Sequence, residues 1–278
     1  MAMACVLQFQ DAFRDAIGTE GRTKNMRKWL LACTTAILAV AGTNALAADE
    51  KDAVDQFFDS IGKFSGTLAG TSDYTFRGIS QTNEGPAVQG SFGWSKDFAV
   101  GKQTVGLYAS AWGSNVKFKD GDNGYLEIDY TGGVTTTVSG LKLDAFGIYY
   151  TYPDSNEALN YDYVEAGFGA GYDFGVANLT GQFYWSPDFF GGIGDAYYFS
   201  GNLSVPLPFK LTAAAHIGYS TFDASTSTDY ADWSLSITRN ILGFDLSVAY
   251  VDTDLSKTEC FGNSNCDARG VFTIAKAF

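Results

Sequence analysis

A single histidine, His216, and a scatter of carboxylates are the residues of this chain best equipped for chemistry. A serine hydrolase would need a serine hydroxyl within hydrogen-bond reach of that histidine. If His216 lies on a strand, the next residue on its face is Gly218, and Ser220 follows about 13 Å away at the rise of an extended chain. A serine on a neighbouring strand stays open as a partner. The simpler reading of His216 is a hydrogen-bonding residue on a polar face, so no enzyme is expected and a hydrolase is kept as an alternative.

The carboxylates Asp73, Glu127, Asp129, Asp144, Glu165, Asp232 and Asp245 fall on the polar faces of alternating segments, with Arg77, Lys142 and Lys210 as basic counterparts. Around water with low-dielectric walls such charges focus a field, and rings of carboxylate favour cations. In a packed interior the same groups would pair with the bases instead. Asp252-Thr253-Asp254 and the stretch from Asp120 to Gly124 each resemble part of a calcium loop. Neither has the twelve-residue ligand pattern ending in Glu, so no metal and no cofactor is expected.

The elements that must position these groups are short and regular. From residue 64 onward the chain resolves into twelve stretches of period-two alternation: 64–76, 86–95, 103–113, 124–137, 141–151, 161–172, 177–186, 195–205, 209–220, 229–239, 242–252 and 268–278. The ninth sets Leu211, Ala213, Ala215, Ile217 and Tyr219 against Lys210, Thr212, Ala214, His216 and Gly218. The tenth sets Trp233, Leu235 and Ile237 against Asp232, Ser234, Ser236 and Thr238. No stretch after residue 47 approaches the roughly 18 apolar residues of a membrane helix.

A soluble sandwich shares this period, so the links decide. Odd-numbered links such as 77–85, 114–123, 152–160 and 253–267 are long; even-numbered ones such as 138–140, 173–176 and 206–208 are short. That rhythm predicts an all-β fold: a transmembrane antiparallel barrel of about twelve strands, with short periplasmic turns and longer external loops. Tyr74, Phe76, Trp94, Trp112, Tyr125, Tyr149, Tyr172, Trp185, Tyr219, Trp233 and Tyr250 lie near predicted strand ends, where aromatic girdles belong. Asp73, Arg77, Glu127, Asp129, Asp144, Glu165, Lys210, His216, Asp232 and Asp245 are then expected to face the lumen.

Both chain ends agree. Met26-Arg27-Lys28, the apolar run to Val40 and Ala45-Leu46-Ala47 read as a signal peptide over 26–47, cleaved between Ala47 and Ala48. Residues 1–25 read as an over-extended start, and 48–63 as a periplasmic segment with helical spacing at Ala53, Phe57, Phe58 and Ile61. Cys33 stands too close to the basic residues for a lipoprotein signal. Of 18 Lys and Arg and 31 Asp and Glu, the first 47 residues hold five and three, leaving 13 and 28 and a net charge of −15. Such acidity excludes nucleic acid as a partner, because phosphate binding needs clustered Lys and Arg.

Cys260 and Cys266, six positions apart in an oxidising compartment, predict one disulfide. At the other end, Phe272, Ile274 and Phe278 share one face of a closing strand that stops on an aromatic, the ending read by outer-membrane insertion machinery. The implied partners are outer-membrane lipid, the barrel-assembly machinery during insertion, and small solutes.

The motif residues resemble a known family. Tyr74-Thr75-Phe76-Arg77-Gly78-Ile79-Ser80-Gln81-Thr82 is similar to the first-strand motif of the TorF-type porin family. Gln89-Gly90, Trp112-Gly113-Ser114-Asn115-Val116, Asp232-Trp233, Ala249-Tyr250-Val251-Asp252-Thr253-Asp254 and Phe272-Thr273-Ile274-Ala275-Lys276-Ala277-Phe278 recur there in the same order. The resemblance implies an exported outer-membrane barrel with a pore function, and supplies neither substrate nor catalytic residues. The expected activity is therefore passive diffusion of small hydrophilic solutes or ions, with a preference for cations. A filled structural or adhesion barrel, and a barrel hydrolase using His216, are the alternatives.

Overall fold

The computed structural model describes residues 60–119 and 124–278. The leader expected over 26–47, its expected Ala47–Ala48 junction, residues 1–25, positions 48–59 and Asp120 to Asn123 lie outside the described residues. Twelve strands form one closed antiparallel barrel: β1 (Lys63–Thr71), β4 (Ala87–Val100), β5 (Gln103–Asn115), β6 (Leu126–Val138), β7 (Leu141–Thr151), β8 (Tyr163–Asp173), β9 (Asn178–Ser186), β10 (Ala196–Leu207), β11 (Leu211–Phe222), β12 (Tyr230–Ile241), β13 (Phe244–Thr253) and β14 (Arg269–Ala277). A separate two-stranded hairpin, β2 (Thr75–Phe76) and β3 (Ile79–Ser80), lies between β1 and β4.

Each barrel strand pairs with its sequence neighbours, and β1 closes the ring against β14 from Thr67 opposite Ala277 to Thr71 opposite Thr273. The chain end seals the seam. Phe278 N–H donates to Gly66 O at 2.9 Å, and Gly66 N–H donates back to Phe278 O at 3.3 Å. No unpaired strand edge is left on the ring, which removes the hazard that an open sheet would carry.

Hydrophobicity runs inside out. Leu68, Phe92, Val134, Phe168, Leu203, Ile217, Leu235, Val248, Phe272 and Ile274 are all exposed and point away from the lumen. A soluble sandwich would bury such residues; a wall this apolar faces lipid. Among the described residues no helix is long and apolar enough to cross a membrane. Lys276, also on the outer wall, lays its ammonium over the Phe244 ring at 4.8 Å. Such cation–π contact and snorkelling let a lysine sit among apolar neighbours.

Links of two to four residues join the strands at one end, and two of them, Ser139-Gly140 and Leu242-Gly243, have positive φ at both positions. That geometry matches the right-handed twist of the strands they join. The links at the other end run over 72–86, 116–125, 152–162, 187–195, 223–229 and 254–268.

Two expectations need correction here. The first strand does not run to residue 76: it stops at Thr71, and the chain then turns inward. Tyr74, Phe76 and Trp112 belong to no girdle. Tyr74 packs edge-on against Trp112 with centroids 5.3 Å apart, and Phe76 against Tyr150 at 6.0 Å. Their alternation continues that of β1 because the hairpin is itself extended chain.

At the short-link rim, Ser60 and Ile61 are helical. Their carbonyls accept from Lys96 Nζ (2.5 Å) and Trp94 Nε1 (2.7 Å). Both donors share a strand face with the lipid-exposed Phe92, so this part of the segment lies outside the lumen.

Candidate functional site

The hairpin is the organising feature of the lumen. Arg77 and Gly78 form its tip, with φ of 47° and 82°, between the paired Phe76 and Ile79. A two-residue turn with both φ positive is the type I′ pattern. Two links hold its flanks: Ser80 N–H donates to Asn265 O (2.8 Å), and Lys117 N–H donates to Gln81 O (2.8 Å). Asp73 locks the base, accepting from Ser80 Oγ and Thr82 Oγ1 at 2.7 Å each and from Arg269 Nη1 at 2.9 Å. Asp73 and Arg77 therefore sit on the 72–86 link rather than on a strand face.

Arg77 reaches across the barrel to β8. Its Nη2 donates to both oxygens of Glu165 at 2.7 Å, and both side chains are almost fully buried. The guanidinium lies 4.1 Å from the Tyr198 ring centroid and 4.7 Å from that of Phe76, with Tyr184 and Phe189 slightly further. Tyr150 Oη donates to Glu165 Oε2 at 3.0 Å. A charge buried this deeply is tolerated only because a carboxylate and ring faces replace its water. Around the same end Tyr150, Tyr152, Tyr161 and Tyr163 form a buried core with Val116, against which Phe118 and Phe190 pack.

A second group faces the hairpin from β6. Glu127 is 2 % exposed; its Oε1 accepts from Tyr152 Oη at 2.9 Å, and its Oε2 has no partner among the described residues. Asp129, two positions on and on the same face, likewise has a buried Oδ1 without a partner there. Burial and then the Glu127 and Asp129 carboxylates hold the Tyr74 phenol well above its ordinary range. Burial and then Tyr163 and Glu127 do the same for Tyr152. Both phenols stay protonated at neutral pH, and Tyr152 is the one that donates at hydrogen-bond length.

The third group surrounds His216 on β11. Nε2 lies 2.9 Å from Asp232 Oδ1 and 3.0 Å from Tyr198 Oη, and Nδ1 lies 2.7 Å from Asn202 Oδ1. Both ring nitrogens are engaged, and neither partner set includes a serine. Ser220, on the same face at i+4, has a fully buried hydroxyl that does not contact the ring. Gly218 makes the network fit, because a Cβ there would overlap Tyr198 Oη and Asp232 Oδ2. Gly218→Ala is expected to cost about 1–3 kcal/mol through overpacking and to lower the temperature at which the folded barrel is lost on a heated gel.

Toward the short-link end, Tyr108 and Phe146 apart, the inward side chains are mostly small or polar and partly exposed. Ser110, Gln182, Ser200, Asn202, Ser234 and Ser236 are all partly exposed although they face inward. Asp144 stands in this vestibule and accepts from Tyr108 Oη at 3.1 Å.

Two expected lumen residues are not brought to these groups. Lys210 lies on no strand; it is exposed in the short 3-10 turn Pro208–Lys210, because Pro208 delays the start of β11 to Leu211. Asp245 has the inward parity but is exposed at the short-link rim, where Asn240 Nδ2 donates to it at 2.8 Å. Cys260 and Cys266 are disulfide-bonded within the 254–268 link, with Cα atoms 6.0 Å apart. Thr253 Oγ1 donates to Cys266 O (2.9 Å) and ties that link to β13.

Tyr150, Tyr184, Tyr198, Asn202 and Arg269 complete these clusters, and sequence reasoning did not single them out. The available signal was tyrosine recurring at inward parity on β7 to β10.

A family model described as a bacterial protein of unknown function (Gcw_chp) matches residues 56–278. No curated protein matches the chain. Among solved structures it is similar to the NanC porin (6 % identity, 76 % of this chain and 98 % of that chain, TM-score 0.49). It is likewise similar to the KdgM porin in complex with disordered oligogalacturonate (7 %, 77 % and 99 %, TM-score 0.47). The outer membrane phospholipase A from Escherichia coli is another such structure (9 %, 77 % and 95 %, TM-score 0.44).

Proposed function

The chain belongs to the Gcw_chp family of bacterial proteins of unknown function, and from the lumen it builds we propose a narrow outer-membrane pore, constricted at its external mouth by the Tyr74–Gln81 hairpin. Small hydrophilic solutes and ions pass through it by diffusion, with cations preferred. The observation that carries this reading is the partly exposed, polar inward wall of the short-link half. A filled barrel would pack that wall with its own side chains.

Cation preference follows from charge placement. Among the described residues the side-chain ion pairs within 4 Å are Arg77–Glu165 and Arg269–Asp73, and His216 lies at hydrogen-bond distance from Asp232. Asp129 and Asp144 have no basic partner there and face the route, and carboxylates so placed attract cations. In this reading the chain is exported to the outer membrane of a Gram-negative cell and inserted by the barrel-assembly machinery. The long links are external and the short ones periplasmic. The resemblance of the hairpin motif to the TorF-type porins supports the same assignment.

One observation favours a second reading. The aromatic core and the docked hairpin fill the long-link end, as a structural or adhesion barrel would require. Current decides between them. In a potassium chloride gradient across a planar bilayer, the refolded protein is expected to give a reversal potential of the sign set by potassium. Asp129→Asn combined with Asp144→Asn is expected to reduce the permeability ratio several-fold. Chloride preference, or a ratio unmoved by the double substitution, would reject the assignment of selectivity to these carboxylates.

A further inference from the structure

We propose that Glu127 and Asp129 form a binding site for a primary ammonium group at the inner end of the vestibule. The proposal rests on the reading of the lumen as a water-filled route, and it names what that route takes up. Glu127 is nine-tenths and more buried, yet its Oε2 has no donor at hydrogen-bond length among the described residues, the Tyr74 phenol standing next to it, and Asp129 Oδ1 beside it has none either. Buried acceptors without partners are costly, and native structures rarely keep them. Two on one strand face, at i and i+2, stand about 7 Å apart at Cα and point the same way. They are the acceptors that a small multi-donor cation would satisfy together.

Three features select an ammonium over a metal ion. Calcium takes six to eight oxygens, and among the described residues no group of three or more Asp, Glu, His or Cys is placed to hold a metal. An ammonium needs only three acceptors, and ring faces stabilise it further. Rings are present, because Tyr74 packs on Trp112 next to the pair and Tyr152 donates to Glu127.

The barrel already uses this chemistry for its own Arg77, a cation held by one carboxylate and four aromatic faces. Glu127 and Asp129 repeat the arrangement without an internal cation. Access favours entry from the vestibule: Asp129 is partly exposed, with Glu127 behind it.

Calorimetric titration of the refolded full chain in detergent micelles tests the site without any current. Methylammonium chloride is expected to bind saturably. Tetramethylammonium, which has no N–H donor, is expected to bind at least tenfold more weakly. Glu127→Gln with Asp129→Asn should lose at least tenfold in methylammonium affinity while keeping the gel mobility of a folded barrel, and Asp245→Asn, at the exposed short-link rim, should leave it unchanged. If the double variant does not fold, Asp129→Asn alone, at the more exposed position, should lose several-fold.

No saturable methylammonium binding, equal binding of tetramethylammonium, or wild-type affinity in the folded variant would overturn the proposal. So would calcium binding in place of the amine. A protein that binds but never conducts refutes the pore and leaves the site; one that conducts but does not bind refutes the site alone.

Discussion

Glu165→Gln is expected to release the hairpin and raise single-channel conductance several-fold. The substitution keeps size and shape and removes only the charge that compensates Arg77. Both groups are buried, with Nη2 2.7 Å from each carboxylate oxygen. Breaking one side of such a pair costs about 3–5 kcal/mol, because the remaining charge is stranded in a low-dielectric site. A released hairpin returns the guanidinium to water, so this cost falls on the docked state alone.

At about 1.4 kcal/mol per factor of ten, the docked population shifts by roughly a hundredfold or more. A second readout is independent of current. Arg77 is a trypsin site that docking hides, so limited digestion should cut after Arg77 in the variant and spare it in the wild type. Replacing both members, Arg77→Met with Glu165→Gln, should restore the low conductance of the wild type in large part, since no unpaired charge remains. A Glu165→Gln variant with wild-type conductance and wild-type protection would show that the pair does not hold the hairpin.

Gly78→Ala is expected to open the same hairpin from the opposite wall. Gly78 has φ of 82°, where an L side chain is strained by about 1–2 kcal/mol. A Cβ there would overlap Thr253 Cγ2 and stand 2.8 Å from Asp232 Cβ and 3.2 Å from Asp252 O. Those atoms belong to β12 and β13, so the clash exists only while the tip is inserted. Overpacking adds about 1–3 kcal/mol, giving a total close to that expected for Glu165→Gln. Gly270→Ala on β14 is the control, because a Cβ at that position would meet nothing within 4 Å. Conductance and trypsin cleavage after Arg77 should rise in the first variant and stay unchanged in the second.

The barrel was legible in the sequence because lipid imposes the pattern. A strand with one face in hydrocarbon and one in water must alternate, and each of the twelve alternating stretches overlaps one strand of the ring. Link lengths were legible too, since only the long ones carry enough chain to fold over a mouth. Boundaries shifted where a local residue intervened. Pro208 moved the start of β11 past Lys210, and β4 ran on to Val100, leaving only Gly101 and Lys102 before β5.

The hairpin was not legible, for a physical reason. Thr75-Phe76 and Ile79-Ser80 alternate like any strand, so they read as the continuation of β1. Arg77-Gly78 does have the composition of a two-residue turn. That the turn inserts into the lumen depends on Glu165, 88 residues later, and on ring faces from three other segments. Parity assigns a strand residue to a side of the wall. It does not say whether that residue meets water, as Asp144 does, or a buried cation, as Glu165 does.

The most direct test of a hairpin-constricted pore is single-channel recording of the refolded wild type beside a variant in which Tyr74–Gln81 is replaced by a short Gly-Ser link. A small, cation-selective conductance in the wild type and one several-fold larger in the variant is the expected result. Two silent proteins, both folded by gel mobility, would contradict it and leave a filled barrel in its place.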